Sequence, residues 1–188
     1  AGLRSFDRLM YEENNRIITD HLSSLLFCPT QNAVENLIKE NMSEGLIFSG
    51  DVMYDAYLNF NSKDNLVSEK YKNLKYVLAT IHRRENINSS ERLLAIFESL
   101  NKLDSKQKII MPIHPHTKQK IEKYKIQSNI DFIEPQGYLS MISLLKNCEM
   151  VITDSGGLQK ESYFAKKKCI VVREHTEWVE LIDQGTNV

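Results

Sequence analysis

The sequence is poor in the residues that mark disulfide-stapled, linker-rich or membrane-spanning proteins. It has three cysteines, Cys28, Cys148 and Cys169, and no CxxC pair. Seven glycines and four prolines in 188 residues leave no low-complexity linker. No apolar run approaches the roughly 20 residues that cross a bilayer. We therefore expect a globular cytoplasmic protein whose three thiols are reduced and packed as small apolar residues.

An excess of charge is also lacking. The chain has 24 lysines and arginines against 25 aspartates and glutamates, a formal net charge of −1. Because there is no basic field to attract phosphate backbones, we expect no nucleic-acid partner, and we expect no membrane partner either. The chain begins at Ala1 without methionine and stops at Val188, where a new apolar segment begins. We expect both ends to be cuts through structure.

The N-terminal part of the chain alternates helical patterns with short apolar runs. The predicted elements are helices at residues 12–26, 31–41 and 50–60 and strands at residues 27–28 and 46–50. Thr30 stands where it can cap the second helix. Residues 61–73 are mainly polar, and we expect them to connect residues 1–60 to a second domain at residues 74–188.

The second domain shows a regular alternation of strands and helices. Strands are predicted at residues 76–80, 108–113, 130–133, 150–152 and 169–172, and helices at residues 91–103, 117–125, 138–147 and 157–167. Strands that alternate with helices form a parallel sheet covered on both faces. The fold class is therefore α/β, with a Rossmann-like doubly wound parallel sheet.

Polar residues lie in the loops that follow four of these strands. They are His82, His114, Gln136 and the run Ser155-Gly156-Gly157. In open α/β sheets ligands bind at the carboxyl ends of the strands, so these loops outline a candidate site. A metal site at His114 and His116 has little support, since no carboxylate cluster accompanies the pair.

The run ITDSGGLQKE combines features suited to a phosphate. Asp154 or Ser155 can cap a helix that starts near Gly156, and two glycines let a ligand approach the backbone. Amides at a helix start attract an anion, and Glu161 lies where a carboxylate can accept hydrogen bonds from a ribose diol. The alternative is a plain capped helix after a tight turn. The spacing is not that of a Walker A loop.

Two further groups can carry chemistry. His82, followed by Arg83 and Arg84, can face a diphosphate or transfer a proton, although a structural histidine fits the same pattern. Glu12 can act as an acid or base in the cleft. The alternative for Glu12 and Glu13 is that two carboxylates at a helix start simply complement the helix dipole.

The motifs taken together resemble one enzyme family. In order they are AGLRSF, YEENNR, GDVMYDA, HRREN, PQGYL, TDSGGLQKE and REHTEWVEL. This ordered set resembles the non-hydrolysing UDP-N-acetylglucosamine 2-epimerases over essentially the whole chain. The resemblance implies an isomerase that converts UDP-GlcNAc to UDP-ManNAc by eliminating UDP, leaving 2-acetamidoglucal, and adding UDP back. It implies no metal or other cofactor, and a homodimer in the full-length family.

The resemblance also implies an architecture and a set of site residues. Two Rossmann-like domains face each other, as in glycosyltransferase-B proteins, and this chain is expected to hold an incomplete copy of each. Glu12 is implied as an acid or base and His82 as a residue facing the diphosphate. The implied nucleotide-binding residues are Ser155, Gly156 and Gly157 for phosphate, Glu161 for ribose, Gln136 and Met141 for uracil, and Trp178 where many members have an arginine that touches the ligand.

Departures from the family pattern leave the sugar and the activity open. Trp178 replaces that arginine and Tyr11 replaces a proline before Glu12. The REHTEWVEL and GDVMYDA forms resemble a branch that includes epimerases of UDP-2,3-diacetamido-2,3-dideoxyglucuronate. The same motifs are compatible with a glycosyltransferase of this architecture or with a non-catalytic UDP-binding remnant. Because the family's remaining catalytic carboxylates lie upstream of Ala1, we expect no turnover from this chain alone.

Overall fold

The computed structural model describes residues 1–61, 71 and 73–188. The first part of the chain contains helices α1 (Tyr11–Leu22), α2 (Gln31–Lys39) and α3 (Val52–Asn61) and strands β1 (Leu26–Cys28) and β2 (Leu46–Phe48). The two strands pair in parallel, with Leu26 opposite Leu46. Thr30 caps α2 as predicted, because its hydroxyl accepts a hydrogen bond from the Ala33 amide at 3.1 Å.

The second part forms a five-stranded sheet. Its strands are β3 (Val77–Thr80), β4 (Ile109–Pro112), β5 (Asp131–Ile133), β6 (Met150–Thr153) and β7 (Lys168–Val171). Its helices are α4 (Arg84–Ile87), α5 (Ser90–Asp104), α6 (Pro115–Lys123), α7 (Tyr138–Asn147), α8 (Gly156–Phe164) and α9 (Val179–Asp183). The strand order is β5-β4-β3-β6-β7 and every pair is parallel, which confirms the doubly wound α/β fold.

The core lies on both faces of this sheet. Val77 and Ala79 point to one face, where they pack with Phe97 of α5. Leu78, between them in sequence, points to the other face and packs with Leu145 of α7. Successive side chains on a strand alternate between faces, so strands that are covered on both sides read as the continuous apolar runs seen in the sequence.

Several boundaries differ from the prediction. The first helix ends at Leu22 rather than at residue 26, because Ser23 adopts an extended backbone and Leu26 joins β1. Helix α8 ends at Phe164 rather than at residue 167, because Lys166 has a positive φ of 55°. Helices α4 and α9 were not predicted. Both are short, of 4 and 5 residues, so neither shows an apolar period.

The predicted connection at residues 61–73 lies mostly outside the described residues, and the domain division stays a prediction. The two parts are in contact through aromatic rings. Tyr54 of α3 lies 4.9 Å from Phe164 of α8, centroid to centroid, and Phe60 lies 5.7 Å from Tyr138 of α7. Among the described helices, none combines the length and the apolar character needed to cross a bilayer.

Candidate functional site

The order of the strands reverses at the centre of the sheet. From β3 the chain proceeds outward to β4 and β5 on one side, and then returns to β6 and β7 on the other. The carboxyl ends of β3 and β6 therefore border the crevice in which doubly wound folds bind ligands. His82 follows β3, and Asp154 and Ser155 follow β6.

A cavity of about 470 Å³ lies at this position. Its lining includes six of the residues implied by the sequence, namely His82, Gln136, Met141, Ser155, Gly157 and Glu161. His114 also lines it, as expected from its place after a strand, together with Tyr138, which the sequence did not single out. The loops after four parallel strands and the first turns of α7 and α8 thus converge on one space.

The start of α8 is built for close approach. The Ser155 hydroxyl accepts a hydrogen bond from the Leu158 amide at 3.4 Å, so Ser155 rather than Asp154 is the N-cap. The first amides of a helix have no acceptor within the helix itself, and the helix dipole adds positive potential there. The turn around Gly156 and Gly157 therefore suits an anion.

The two glycines serve different purposes. A Cβ at Gly156 would lie 2.4 Å from Glu177 Oε1 and 3.5 Å from Trp178 Nε1, so any larger residue there would force the buried Glu177 carboxylate to shift. A Cβ at Gly157 would meet only Met53 Cε at 3.7 Å and Ser155 Oγ at 4.0 Å, which are ordinary contacts. The protein itself leaves room for a Cβ at Gly157, a residue that lines the cavity.

Trp178 lines a different cavity from this one, so its contact with the ligand stays a prediction. Its indole is buried behind α8, where Nε1–H donates to the Gly156 carbonyl at 2.8 Å. The Lys160 ammonium lies over the ring, 4.0 Å from the centroid, and also pairs with Asp51. Trp178 therefore supports the glycine turn from within the protein.

His82 and Asp154 form a hydrogen-bonded pair. His82 Nδ1 lies 2.8 Å from Asp154 Oδ1, and the Asp154 carboxylate is fully buried. Burial opposes ionisation of this carboxylate, but hydrogen bonds from His82, Arg83 and Asn86 outweigh it and lower the Asp154 pKa. An ionised carboxylate accepts only, so Nδ1 carries the proton and Nε2 is the nitrogen left for a ligand.

Glu161 is a carboxyl group in a mostly apolar setting. Burial raises the pKa of Glu161 to about 7, although a hydrogen bond from the Tyr138 hydroxyl opposes the shift. Tyr138 begins α7 and Glu161 lies in the middle of α8, so two adjacent helices bring the pair together. A carboxyl group that titrates near neutrality within a cavity is typical of a functional position.

A second cavity, of about 830 Å³, adjoins the first at His82. Glu12 and Tyr11 line it from α1, and Arg83 and Arg84 line it from the other side. Glu12 is exposed and pairs with Arg83, with Oε1 at 3.0 Å from Nη1. We call the first cavity, lined by Ser155 and Gly157, the glycine-turn cavity, and the second the Glu12 cavity. His82 lines both.

The second glutamate of YEENNR has a structural task. Glu13 is fully buried and accepts hydrogen bonds from the Ser5 and Phe6 amides at 2.9 and 3.0 Å. Arg16 also pairs with it at 2.7 Å. The sequence predicts an acid or base role for Glu12 alone, and only the alternative interpretation treats Glu12 and Glu13 alike, as carboxylates near a helix start. The structure separates them, since only Glu12 reaches a cavity.

Asp154 and Tyr138 are the site residues that sequence reasoning missed. Asp154 was considered only as a helix cap, and Tyr138 only as the start of a helix. The sequence did hold a signal for Asp154. Since Ser155 already caps the helix, the polar side chain just before it must have a different hydrogen-bond partner.

Among the described residues there is no group of three or more metal-binding side chains. The His114 Nδ1 instead accepts a hydrogen bond from the His116 amide at 3.2 Å.

Comparison with known proteins places this geometry in one family. A family model described as UDP-N-acetylglucosamine 2-epimerase matches residues 1–188. A UDP-N-acetylglucosamine 2-epimerase homolog from Methanococcus maripaludis is 45% identical over 204 aligned positions, covering 100% of this chain and 56% of the relative. A UDP-2,3-diacetamido-2,3-dideoxy-D-glucuronate 2-epimerase from Pseudomonas aeruginosa is 42% identical over 192 positions, covering 100% and 54%.

Solved structures agree with the sequence comparison. The crystal structure of Methanocaldococcus jannaschii UDP-GlcNAc 2-epimerase in complex with UDP-GlcNAc and UDP superposes with a TM-score of 0.91 at 40% identity, covering 100% of this chain and 56% of that one. The chain thus spans about half the length of the relatives it matches. With a family model matched from end to end, the chain belongs to the UDP-N-acetylglucosamine 2-epimerase family.

Proposed function

We propose that this chain holds the UDP group during the 2-epimerisation of UDP-GlcNAc to UDP-ManNAc. The observation that carries the proposal is the glycine-turn cavity, where six residues implied by the family motifs come together. These residues lie after three different strands, so it is the fold that brings them together. The uncommon pKa of Glu161 supports the same assignment.

Each part of the nucleotide has a matching group in this cavity. The first turn of α8, with Ser155 and Gly157 on the cavity side, suits the diphosphate. Glu161 accepts the two ribose hydroxyls when it is ionised. Gln136 and Met141 offer a polar edge and an apolar surface for uracil. Gly156 contributes through its backbone, and a Cβ there would meet Glu177 and Trp178.

The reaction divides between the two cavities. The C1–O bond breaks and its electron pair leaves on UDP, while the C2 proton is removed and the C1=C2 double bond of 2-acetamidoglucal forms. Return of a proton to the other face of C2 and attack of the UDP oxygen on C1 complete the inversion. His82 lies where it can stabilise the charge on the departing diphosphate, and Glu12 is the proposed acid or base on the sugar side.

The wider assignments are proposals of the same kind. We assign residues 1–60 to the first Rossmann-like domain and residues 74–188 to the UDP-binding domain, joined by residues 61–73. The separate sheets on either side of that connection support the division. A homodimer and a reaction without cofactor complete the family assignment. Trp178 stays in the proposed UDP-binding set, and it also supports the turn around Gly156 and Gly157 from within the protein.

UDP binding is the direct test. Trp178 is the only tryptophan of the chain and bonds to the phosphate turn, so its fluorescence reports on that turn. We expect UDP to change this fluorescence saturably, and Glu161→Gln to weaken UDP binding about tenfold through the lost ribose contact. Glu122→Gln, at an exposed position of α6, is the matched control and leaves affinity unchanged. Absence of UDP binding by the folded chain would contradict the proposal.

Turnover is tested in a full-length protein that carries this segment. In D2O we expect deuterium at C2 and formation of UDP-ManNAc, and loss of both in Glu12→Gln. Near-normal turnover in that variant removes Glu12 from the proton-transfer step. Transfer of the sugar to an added acceptor indicates a glycosyltransferase, and UDP binding without C2 exchange indicates a non-catalytic remnant.

A second substrate has specific support. The P. aeruginosa relative, named for UDP-2,3-diacetamido-2,3-dideoxy-D-glucuronate, is 42% identical across the whole chain. A UDP-N-acetylglucosamine 2-epimerase from M. maripaludis has the same identity of 42%. The two assignments share the reaction and differ in the sugar, so a competition assay with both UDP-sugars in the full-length protein decides between them.

A further inference from the structure

One buried carboxylate holds two consecutive residues of the site. Asp154 receives the His82 amide at 3.0 Å, the His82 ring nitrogen Nδ1 at 2.8 Å and the Arg83 amide at 2.9 Å. The side-chain amide of Asn86 also donates to it, at 3.0 Å. Asp154 itself is fully buried, so water does not compete for these bonds.

Of the two residues that Asp154 holds, His82 lines both cavities and Arg83 lines the Glu12 cavity. The His82 ring lines the glycine-turn cavity and is about 40% exposed. The Arg83 guanidinium instead reaches Glu12 at 3.0 Å in the second cavity. Asp154 therefore holds the backbone of both residues and, through Nδ1, the His82 ring itself.

The anchor is tied to the rest of the sheet. Asn86 is buried and donates a second hydrogen bond to the Val172 carbonyl, beyond the end of β7, at 2.9 Å. The Asp154 amide donates to the Thr80 carbonyl at the end of β3. Asp154 is thus fixed to the ends of β3, β6 and β7.

We propose that Asp154 is a positioning residue for the reaction, which orients His82 toward the diphosphate and Arg83 toward Glu12. This inference rests on the proposed function. Asp154 keeps the Nδ1 proton on the ring throughout, so Nε2 is the atom that faces UDP. When the ring is protonated, Nε2–H donates a hydrogen bond to a diphosphate oxygen as the C1–O electron pair moves onto UDP. The hydrogen bond from Nε2 is released when the diphosphate oxygen attacks C1 again.

The tautomer of His82 tests the proposal without any assay of activity. The chain has five histidines, and nitrogen NMR of a histidine-labelled sample, with His82→Gln to assign the signal, reports which ring nitrogen is protonated. We expect Nδ1 to carry the proton in the neutral ring of the wild-type chain. A neutral ring protonated mainly at Nε2 overturns the proposal, and this measurement needs no substitution at Asp154.

Asp154→Asn extends the test. The asparagine side chain has one acceptor oxygen where the carboxylate has two. Its NH2 group cannot accept the hydrogen bonds that His82, Arg83 and Asn86 donate to Asp154. We expect a mixture of tautomers and a loss of UDP affinity of about tenfold. In a His82→Gln background, the same substitution has little further effect on UDP affinity, as expected for residues that act through one another. Additive losses in the double variant contradict the proposal.

A control variant and the UDP titration distinguish failure of the positioning role from failure of the proposed function. Asp183→Asn removes an exposed carboxylate of α9 and leaves the His82 signal unchanged. If wild-type His82 is protonated at Nδ1 but the chain binds no UDP, the proposed function fails while the Asp154–His82 geometry stands. If UDP binds but the tautomer is unaffected by Asp154→Asn, the positioning role fails alone. Circular dichroism of each variant shows whether it is folded.

Discussion

The indole nitrogen of Trp178 donates a hydrogen bond to the backbone carbonyl of Gly156, at 2.8 Å. Trp178 is buried, and so is Gly156. The bond joins the loop before α9 to the first turn of α8, where the diphosphate is proposed to bind. Trp178 therefore supports the turn around Gly156 and Gly157 from within the protein. Because only Gly156 is packed against this support, the two glycines are expected to have different roles.

We expect Gly156→Ala and Gly157→Ala to act on different properties. A Cβ at Gly156 meets Glu177 at 2.4 Å, and overpacking of this kind destabilises proteins by about 1–3 kcal/mol. A Cβ at Gly157 makes ordinary contacts, so stability changes by less than about 0.5 kcal/mol, while the added methyl group hinders the diphosphate. Urea unfolding followed by circular dichroism measures stability, and fluorescence titration with UDP measures affinity.

The two alanine variants are controls for each other. A Gly157→Ala chain with unchanged UDP affinity would show that the diphosphate binds elsewhere. A Gly156→Ala chain as stable as the wild type would show that Glu177 and Trp178 move aside at little cost.

Glu12 and Glu13 are expected to differ in the same way. Glu13→Gln removes one carboxylate oxygen from a buried site that accepts two backbone amides and Arg16, so we expect a loss of about 2–4 kcal/mol. Glu12→Gln removes an exposed pair with Arg83, worth at most about 1 kcal/mol. Urea unfolding of both variants checks this order. Equal losses would contradict the division of the two glutamates into a structural and a cavity residue.

The pH dependence of stability at Glu13 has a definite sign. Burial opposes ionisation of Glu13, but hydrogen bonds from Ser5, Arg16 and Phe6 outweigh it and lower its pKa below the ordinary value of 4.5. Its stabilising effect is therefore present above about pH 4.5 and is lost as the pH falls below it. Comparing wild-type and Glu13→Gln unfolding between pH 3 and 7 checks this, and the difference between them should shrink toward low pH.

Much of the site follows from the pattern of strands. Parallel strands bring their carboxyl ends to one edge, so His82, Gln136 and Ser155 were predicted to lie near one another from local periodicity alone. The helix starting near Gly156 was predicted from its capping serine and the apolar run before it. These features depend on neighbours in the sequence, and neighbours are what periodicity describes.

The supporting contacts lie beyond that kind of prediction. The bond between His82 and Asp154 joins residues 72 positions apart, and the bond between Trp178 and Gly156 joins residues 22 apart. No local pattern states which buried donor meets which acceptor. The family resemblance implies a ligand contact for Trp178, which stays a prediction, whereas its hydrogen bond to Gly156 appears only in the structure.

Binding of a UDP-sugar is expected to strengthen as the pH rises through about 7. Glu161, whose pKa is about 7, must be ionised to accept two hydroxyl donors, so affinity falls as the pH drops below that value and levels off near the affinity of Glu161→Gln. A UDP-sugar is the proper probe, since the terminal phosphate of UDP itself titrates near pH 6. His82 and His114 also line the cavity, so the measured quantity is the ratio of wild-type to Glu161→Gln affinity at each pH. A ratio that is independent of pH would remove Glu161 from the ribose site.

Tyr138→Phe should move this pH dependence upward. The Tyr138 hydroxyl donates to the Glu161 carboxylate and favours its ionised form, so removing it raises the pKa of Glu161 further. The phenylalanine ring keeps the edge-on contact with Phe60, at 5.7 Å in the wild type, so packing of α7 against α3 is retained. We expect the midpoint of the affinity ratio to shift to higher pH, with the affinity at high pH little changed. Tyr124→Phe, which removes a hydroxyl bonded to the Asn88 carbonyl on the surface, is the matched control and leaves the midpoint in place. An unshifted midpoint in Tyr138→Phe would mean that burial alone sets the pKa of Glu161.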